Sequence, residues 1–427
     1  MKPFLKNFVA GILGWQLRRL RNKNKFKVVA VAGSIGKTST KLALAGILSQ
    51  KFKVQYQVGN YNDLVSVPLI FFGKVMPSLF NPLAWLAVFL HNESVIAKKY
   101  PFEIVVVELG PDAPGQMQRF KKYLHADIGI LTAIVPEHME FFKDMSSVAG
   151  EELVLIELAD KIFANSDLIP PQYLERLPEG TTTYGIKSQA DINMANINFS
   201  GSEATFDIMY SGVNYLHGEH ERITEPQLYS VCAAVAVATE LGMNTKLIDQ
   251  GIRSIKPVAG RMQHLAGLNG SEIIDDTYNA SPTAMLAALN TLYRVSAVQK
   301  IAILGNMNEL GEYSQNEHQK IGEFCDPKQL TLVATIGPDA NKYLAPAAQK
   351  RGCLVKTFEN PLDAGLFVKE RLQKGTTVLA KGSQNGVFAE EAVKQLLANP
   401  EDAAKLVRQT KYWMKRKHKN LPSVKLG

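Results

Sequence analysis

Residues 25–39 read KFKVVAVAGSIGKTS, a β-branched apolar run that breaks at glycine and passes into a helical pattern. No other stretch constrains the fold as strongly. A strand that turns through glycine straight into a helix aims backbone N–H groups, and the positive end of the helix, at one small volume. Gly33, Ser34, Ile35, Gly36, Lys37, Thr38 and Ser39 therefore form a candidate phosphate loop. There Lys37 can reach the outer phosphates of a nucleotide, and the Thr38 hydroxyl can hold Mg²⁺. The spacing is GxxGK[ST], shorter than the usual GxxxxGK[ST]. The plainer alternative is a strand–helix turn with a solvated lysine.

The rest of the chain alternates in the same way. Residues 103–109 (EIVVVEL) and 127–134 (DIGILTAI) are apolar runs without alternation, as in strands covered on both faces of a parallel sheet. Residues 181–217 switch to short alternating segments of the antiparallel kind, and an Ala/Val-rich helix is expected over 226–241. Near residue 258 the pattern restarts, with strands expected at 273–277, 300–304, 332–336 and 376–380. At about 150 residues per domain, 427 residues suit two or three domains. The boundaries read 1–26 for an N-terminal helix, 27–257 for a central parallel-sheet domain around the phosphate loop, and 258–427 for a Rossmann-like α/β domain. The tail from Lys411 is basic and reads as loose.

Composition narrows the class. Hydrophobic residues make up 46% and charged residues 21%, which excludes a disordered chain or a rod. Lys+Arg 48 against Asp+Glu 40 leaves +8, spread along the chain without an aromatic–basic strip, so no nucleic-acid partner is expected. Three scattered cysteines give neither a disulfide framework nor a zinc site, and a cytoplasmic setting is the default. The apolar runs are too short to span a membrane. Residues 1–20 do read as an amphipathic helix, with Phe4, Leu5, Phe8, Val9, Ile12, Leu13, Leu17 and Leu20 on one face amid Lys and Arg. Such a helix either meets an anionic membrane surface or packs on the domain behind it.

Two more residues fall where a parallel sheet gathers ligands, at the carboxyl ends of strands. Glu108 ends EIVVVEL, and His138 lies just beyond DIGILTAI. A carboxylate and an imidazole beside a phosphate loop fit a metal that neutralises developing charge.

The motifs together resemble the Mur ligases, and within that family the MurF branch, which adds D-Ala-D-Ala. Residues 60–68 (NYNDLVSVP) resemble NYNNEIGVP. Val107–Gly110 with Pro114 and Gly115 resembles EMG…PG, and Glu137–Glu140 resembles AHLE. Gly260-Arg261, residues 275–282 (DDTYNASP), residues 304–311 (LGNMNELG) and residues 381–383 (KGS) follow in register. The resemblance runs from about residue 27 to 415. It implies an ATP-dependent ligase that activates a carboxylate as an acyl phosphate, and a monomer taking a peptidoglycan precursor with an amino acid or dipeptide. It implies that Gly33–Ser39 hold ATP together with Arg261, Asp275 and Asn279, and that Arg261 reaches the γ-phosphate as domains close. Thr38, Glu108 and His138 serve Mg²⁺, and Lys37, Glu108, His138 and Arg261 carry catalysis. Asn60, Asn62, Asp63, Lys381 and Ser383 meet the substrate. Other ligases of the superfamily, of the folyl- or γ-polyglutamate type, and a weakly catalytic ATP-binding partner protein stay open.

The departures are informative. The family's carbamylated lysine falls at Glu152 or, one residue off, Glu151, where a glutamate could supply the carboxylate directly. Leu64 and Asn306 stand where the branch has Glu and Asp, and residues 224–230 (TEPQLYS) replace its GxHxxxN. About 30 residues precede the phosphate loop, so the expectation is that the domain gripping a uridine nucleotide is missing. Residues 73–100, with Phe80, Leu83, Trp85, Leu86, Phe89 and Leu90, read as an insertion. It would be either a membrane- or partner-facing patch or a cover over a bare sheet edge.

Overall fold

The computed structural model describes residues 2–421 except 60, 112, 201, 202 and 222; the side chains of residues 2, 3 and 200 are also outside the description. The chain divides into two compact units, Met1–Val135 with Phe142–Ile255, and Pro136–Phe141 with Lys256–Gly427.

In the first unit the strands are β1 (Lys27–Ala32), β2 (Val54–Gln55), β3 (Ile104–Glu108), β4 (Ala126–Leu131), β5 (Ala159–Asn165), β6 (Thr182–Gly185), β7 (Ile192–Ser200), β8 (Glu203–Tyr210) and β9 (Val213–Glu221). Among the described residues they form one sheet in the order β2-β3-β1-β4-β5-β6-β7-β8-β9. Pairing is parallel as far as β7 and antiparallel from β7 to β9. The apolar strands at the centre need cover on both sides, and they have it. Val28, Ala30 and Ala32 share a core with Leu17, Leu20, Val105 and Val107. Val29 and Val31 point the other way, into a core with Leu44, Ile47 and the helix Glu225–Glu240.

Helix α1 (Lys2–Lys23) lies on the first of these faces with α2 (Lys37–Leu48) on the other, and α3 (Ser66–Phe71) and α4 (Pro82–Ala97) pack against α1. The helix expected over 226–241 begins with a capping box, in which Thr224 and Gln227 satisfy each other's backbone N–H groups. The TEPQLYS stretch is thus a helix start.

In the second unit β10 (Gln263–Ala266), β11 (Glu272–Asp276), β12 (Gln299–Gly305), β13 (Leu332–Ile336), β14 (Val355–Phe358) and β15 (Thr376–Lys381) form a sheet in the order β10-β11-β15-β12-β13-β14. All its pairs are parallel except β10 with β11. The architecture is the α/β one expected: two sheets rich in parallel pairs, each flanked by helices. The tail departs from expectation. Residues Lys411–Asn420 form a helix with a buried lysine, and residues 422–427, to which the same expectation extended, lie outside the described residues.

Candidate active site

The phosphate turn joins β1 to α2. Gly33 has φ +124°, and a Cβ there would sit 2.3 Å from Thr132 Oγ1 and 2.8 Å from the Ala133 nitrogen. Only glycine fits both the backbone and the space. Gly36, at φ 84°, is the N-cap of α2. Thr132 closes the turn from below, its Oγ1 2.6 Å from the Ile35 carbonyl oxygen. Ser34 Oγ accepts from the Val135 N–H at 3.1 Å. The Lys37 ammonium donates to the carbonyls of Gly33 and Ser34.

Glu108 stands where β3 ends, in register with Val31 of β1. Thr38 Oγ1 is 3.1 Å from each of its carboxylate oxygens. Lys41 Nζ is 2.9 Å from Glu108 Oε2, with the lysine fully buried. Lys41 was not among the residues singled out from sequence. It follows Lys37 by one helical turn, so it shares that helix face, and this spacing was the available signal. Thr38 and Glu108 offer hard oxygen donors of the kind Mg²⁺ takes, usually one or two carboxylates completed by substrate phosphates and water. Among the described residues no group of three or more His, Cys, Asp and Glu forms an all-protein metal cage.

The neighbouring glutamates separate cleanly. Glu152 Oε2 accepts the Gly33 N–H at 2.7 Å, so this carboxylate reaches the root of the phosphate turn. Glu151 turns the other way and accepts from the backbone N–H groups of Gly115 and Met117, at the start of the helix Gln116–Phe120.

His138 falls in the second unit. Its φ is +54°, and its Nδ1 lies 2.6 Å from Glu309 Oε2. The hydrogen bond from His138 holds the Glu309 carboxyl below its usual range, against the opposing effect of burial.

The proposed substrate residues have local roles. Asn60 lies outside the described residues. The backbone carbonyl of Asn62 accepts the Gly110 N–H at 3.1 Å. Asp63 Oδ1 accepts from the N–H groups of Val65 and Ser66, and its Oδ2 pairs with Lys6 at 2.8 Å. Burial alone would raise the Asp63 pKa, but Lys6 and the Ser66 hydrogen bonds hold it below the ordinary value. Leu64 is buried in the core. Asn306 Oδ1 accepts from the Ala340 N–H at 2.8 Å.

In the second unit the turn after β11 carries Tyr278 and Asn279. Lys381 Nζ binds Asp276 Oδ2 at 2.5 Å and the Asn279 carbonyl at 2.9 Å, and Ser383 Oγ donates to the Ala280 carbonyl at 3.0 Å. Arg261 stacks its guanidinium 4.1 Å from the Tyr278 ring centre. Asp275 is fully buried. Oδ1 accepts from Thr277, Oδ2 has no partner among the described residues, and burial raises the pKa to about 6.

Beneath this turn lies a cluster that sequence reading missed. Arg408 donates through Nε and Nη2 to the two Glu390 oxygens at 2.8 and 2.7 Å, and also to the carbonyls of Thr277 and Tyr278. Lys417, from the C-terminal helix, pairs with Glu390 at 2.8 Å and Glu391 at 2.6 Å, all three side chains being buried. Burial would push the Glu390 carboxyl up, but Arg408 and Lys417 hold it down.

A glycine turn at the carboxyl edge of a parallel sheet, with a lysine over it and a hydroxyl and carboxylate beside it, defines the first unit as a nucleotide-phosphate domain. The comparisons agree. Residues 31–238 match the Mur ligase middle domain, and residues 260–384 match the Mur ligase, glutamate ligase domain. The UDP-N-acetylmuramoyl-tripeptide--D-alanyl-D-alanine ligase of Bacillus subtilis is 26% identical over 384 residues, 88% of this chain and 76% of that one. Its Escherichia coli namesake is 24% identical, over 89% and 79%. MurF from Thermotoga maritima in complex with ADP superposes with a TM-score of 0.74 at 24% identity, covering 92% of this chain and 84% of that one. A Mycobacterium tuberculosis folylpolyglutamate synthase shares the fold at a TM-score of 0.60 and 16% identity, covering 89% and 91%. The chain belongs to the Mur ligase family, whose members are ATP-dependent amide ligases.

Proposed function

We propose that this chain is a peptide ligase of cell-wall precursor synthesis that joins a dipeptide such as D-Ala-D-Ala to a muramyl peptide at the expense of ATP. The observation that carries the reading is the turn between β1 and α2 itself, with Lys37 on its carbonyls and Thr38 and the buried Lys41 both on Glu108 beside it. In the proposed reaction a carboxylate oxygen of the precursor attacks the γ-phosphorus, and ADP leaves. The amine then attacks the acyl carbon, loses its proton, and phosphate departs. Such chemistry asks the protein mainly for positioning and charge.

Lys37 and the turn Gly33–Ser39 take the phosphates, through the N–H groups beyond Ser34, those of Gly33 and Ser34 being donated to Glu152 and to the Ala133 carbonyl. Thr38 and Glu108 are the proposed holders of Mg²⁺, with His138 and Glu152 assigned to the same metal chemistry. When bound, the ion neutralises charge on the phosphates. Arg261, Asp275 and Asn279 are assigned to the nucleotide, and Asn60, Asn62, Asp63, Lys381 and Ser383 to the substrate. Among the described residues no helix is long and apolar enough to cross a membrane. The proposed setting is the cytoplasm, as a monomer, with α1 and residues 73–100 meeting the inner face of a membrane.

The test supplies ATP, Mg²⁺ and D-Ala-D-Ala with muramyl tripeptides that carry or lack UDP, and with a folate acceptor as comparison. ADP and a new amide bond on a muramyl peptide are expected. Amide formed on folate alone assigns the chain to the polyglutamate type. ATP bound without amide on any acceptor contradicts ligation and leaves a nucleotide-binding partner protein.

A further inference from the structure

Helix α1 carries a broad apolar face, and the first unit covers only part of it. Val9 and Leu13 are buried in a cluster with Val65, Leu69, Trp85 and Val88, and Leu17 and Leu20 join the main core. Phe4, Phe8 and Trp15 are exposed by 77%, 58% and 50%. At 100° per residue these three lie within a narrow arc, on the side away from Leu13. The apolar face expected from sequence is therefore wide and only partly covered, with Leu5 and Ile12 half-buried between its two edges. Its inner edge, Val9 to Leu20, is buried, and its outer edge, Phe4, Phe8 and Trp15, faces out.

Helix α4 repeats the pattern. Trp85, Val88 and Ile96 turn inward, while Leu83, Leu86 and Leu90 are exposed by 78%, 54% and 63%. Phe80, just before the helix, is exposed as well. The two helices are fastened side by side. Gln16 donates to the Phe89 carbonyl and to Glu93, Asn92 donates to Gln16, and Arg19 pairs with Glu93 at 2.7 Å. A single exposed leucine is ordinary, but six large apolar side chains on one pair of helices, with Phe80 beside them, mark a docking face.

Charge selects the occupant. Residues 1–62 hold 12 Lys and Arg and no Asp or Glu. Residues 1–23 and 73–100 together hold nine basic residues against one acidic residue, Glu93; Arg19 pairs with Glu93, Lys6 with Asp63 and Arg21 with Asp127, and Arg18, Lys23, Lys74, Lys98 and Lys99 keep the excess positive. A second copy of the chain would bring the same positive rim against this one and be repelled. An anionic bilayer offers both complements: acyl chains for the aromatic and leucine stripe, and headgroups for the cations.

The face is also wired to the site. Lys6, one turn into α1, holds Asp63, and Asp63 caps the turn that follows Asn62. We infer that the outer face of α1 and α4 docks on an anionic phospholipid bilayer, and that the carboxyl substrate is a lipid-anchored peptide delivered to the Asn62–Asp63 turn at that surface. The substrate half of this inference rests on the ligase reading above; the docking half does not.

The experiment uses the full chain and vesicles of phosphatidylglycerol and phosphatidylcholine at 3:7, with pure phosphatidylcholine vesicles alongside. Co-sedimentation with the anionic vesicles is expected, weakened about tenfold or more without phosphatidylglycerol, as the loss of several charge contacts implies. A triple variant, Phe8→Ser, Leu83→Ser and Leu90→Ser, alters exposed residues only. It should keep its circular dichroism and its ATP binding while losing most vesicle binding. Equal binding by the variant, no binding by the wild type, or a dimer in solution that the variant abolishes each overturns the docking. A muramyl tripeptide tethered to a lipid in those vesicles is then compared with the untethered peptide. A severalfold preference for the tethered form, lost in the triple variant, is expected, and no preference overturns the substrate half. Vesicle binding with neither peptide ligated sinks the ligase reading and leaves docking intact.

Discussion

Two turns at the carboxyl edges of the two sheets show opposite ways of holding a backbone in place. The phosphate turn after β1 takes its shape from its own residues and is tied down by the neighbouring elements, through Thr132 on the Ile35 carbonyl, the Val135 N–H on Ser34 and Glu152 on the Gly33 N–H. Gly33 and Gly36 supply the left-handed backbone, and the Lys37 ammonium rests on carbonyls three and four residues back. The turn after β11 is held from far along the chain. Lys381 grips Asp276 and Asn279 from about a hundred residues away, and Arg408 grips Thr277 and Tyr278 from further still. The first turn has its backbone shape written in its own glycines and lysine, whereas the second depends on distant charged side chains. They should therefore fail differently.

The largest effect is expected at Arg408. Replacing it with Ala strips Glu390 of two hydrogen bonds and leaves a buried carboxylate to Lys417 alone, which should cost on the order of 3–5 kcal/mol. Urea denaturation followed by a probe in the second unit measures it. A loss under 1 kcal/mol would show that the turn does not depend on its distant clamp.

Gly33→Ala comes next. A Cβ 2.3 Å from Thr132 Oγ1, on a backbone at φ +124°, should cost roughly 2–3 kcal/mol and weaken ATP binding as the turn shifts. Thr132→Ala in the same chain should recover part of the loss by making room, and calorimetry of single and double variants tests this.

The smallest effect separates two buried acids of the second unit by pH. The raised pKa of Asp275 means that its contribution to stability is present below about pH 4 and disappears as pH rises through about 6. Glu390 is shifted the other way, so its contribution is present above the ordinary carboxylate range and disappears on acidification. Asp275→Asn should therefore gain on the wild type, by about 2 kcal/mol, between pH 4.5 and pH 7.5. A difference that stays flat across this range would contradict a buried, poorly solvated Asp275.

The same contrast explains what could be read in the sequence. The phosphate turn was legible because its seven residues are contiguous and their constraints are those of the backbone. The central strands were legible because burial on both faces leaves no polar alternation to mislead. The basic tail was misread because Lys417 is buried by Glu390 and Glu391, more than twenty positions away, and nothing near Lys417 signals them. The insertion was half legible: Leu83, Leu86 and Leu90 face outward, but Trp85 packs inside and donates to the Ser78 carbonyl. The choice between Glu151 and Glu152 needed three dimensions. Adjacent helix residues point about 100° apart, and only the fold says which of them meets Gly33.

The measurement that bears most directly on this account is calorimetric titration of ATP, with Mg²⁺ present, into the wild type and into Lys37→Ala. A saturable site is expected in the wild type, weakened roughly tenfold to a hundredfold in the variant, as the loss of a charge-assisted phosphate contact implies, with circular dichroism unchanged. Equal affinity in the two proteins would contradict the assignment of the turn around Lys37 as the seat of the nucleotide.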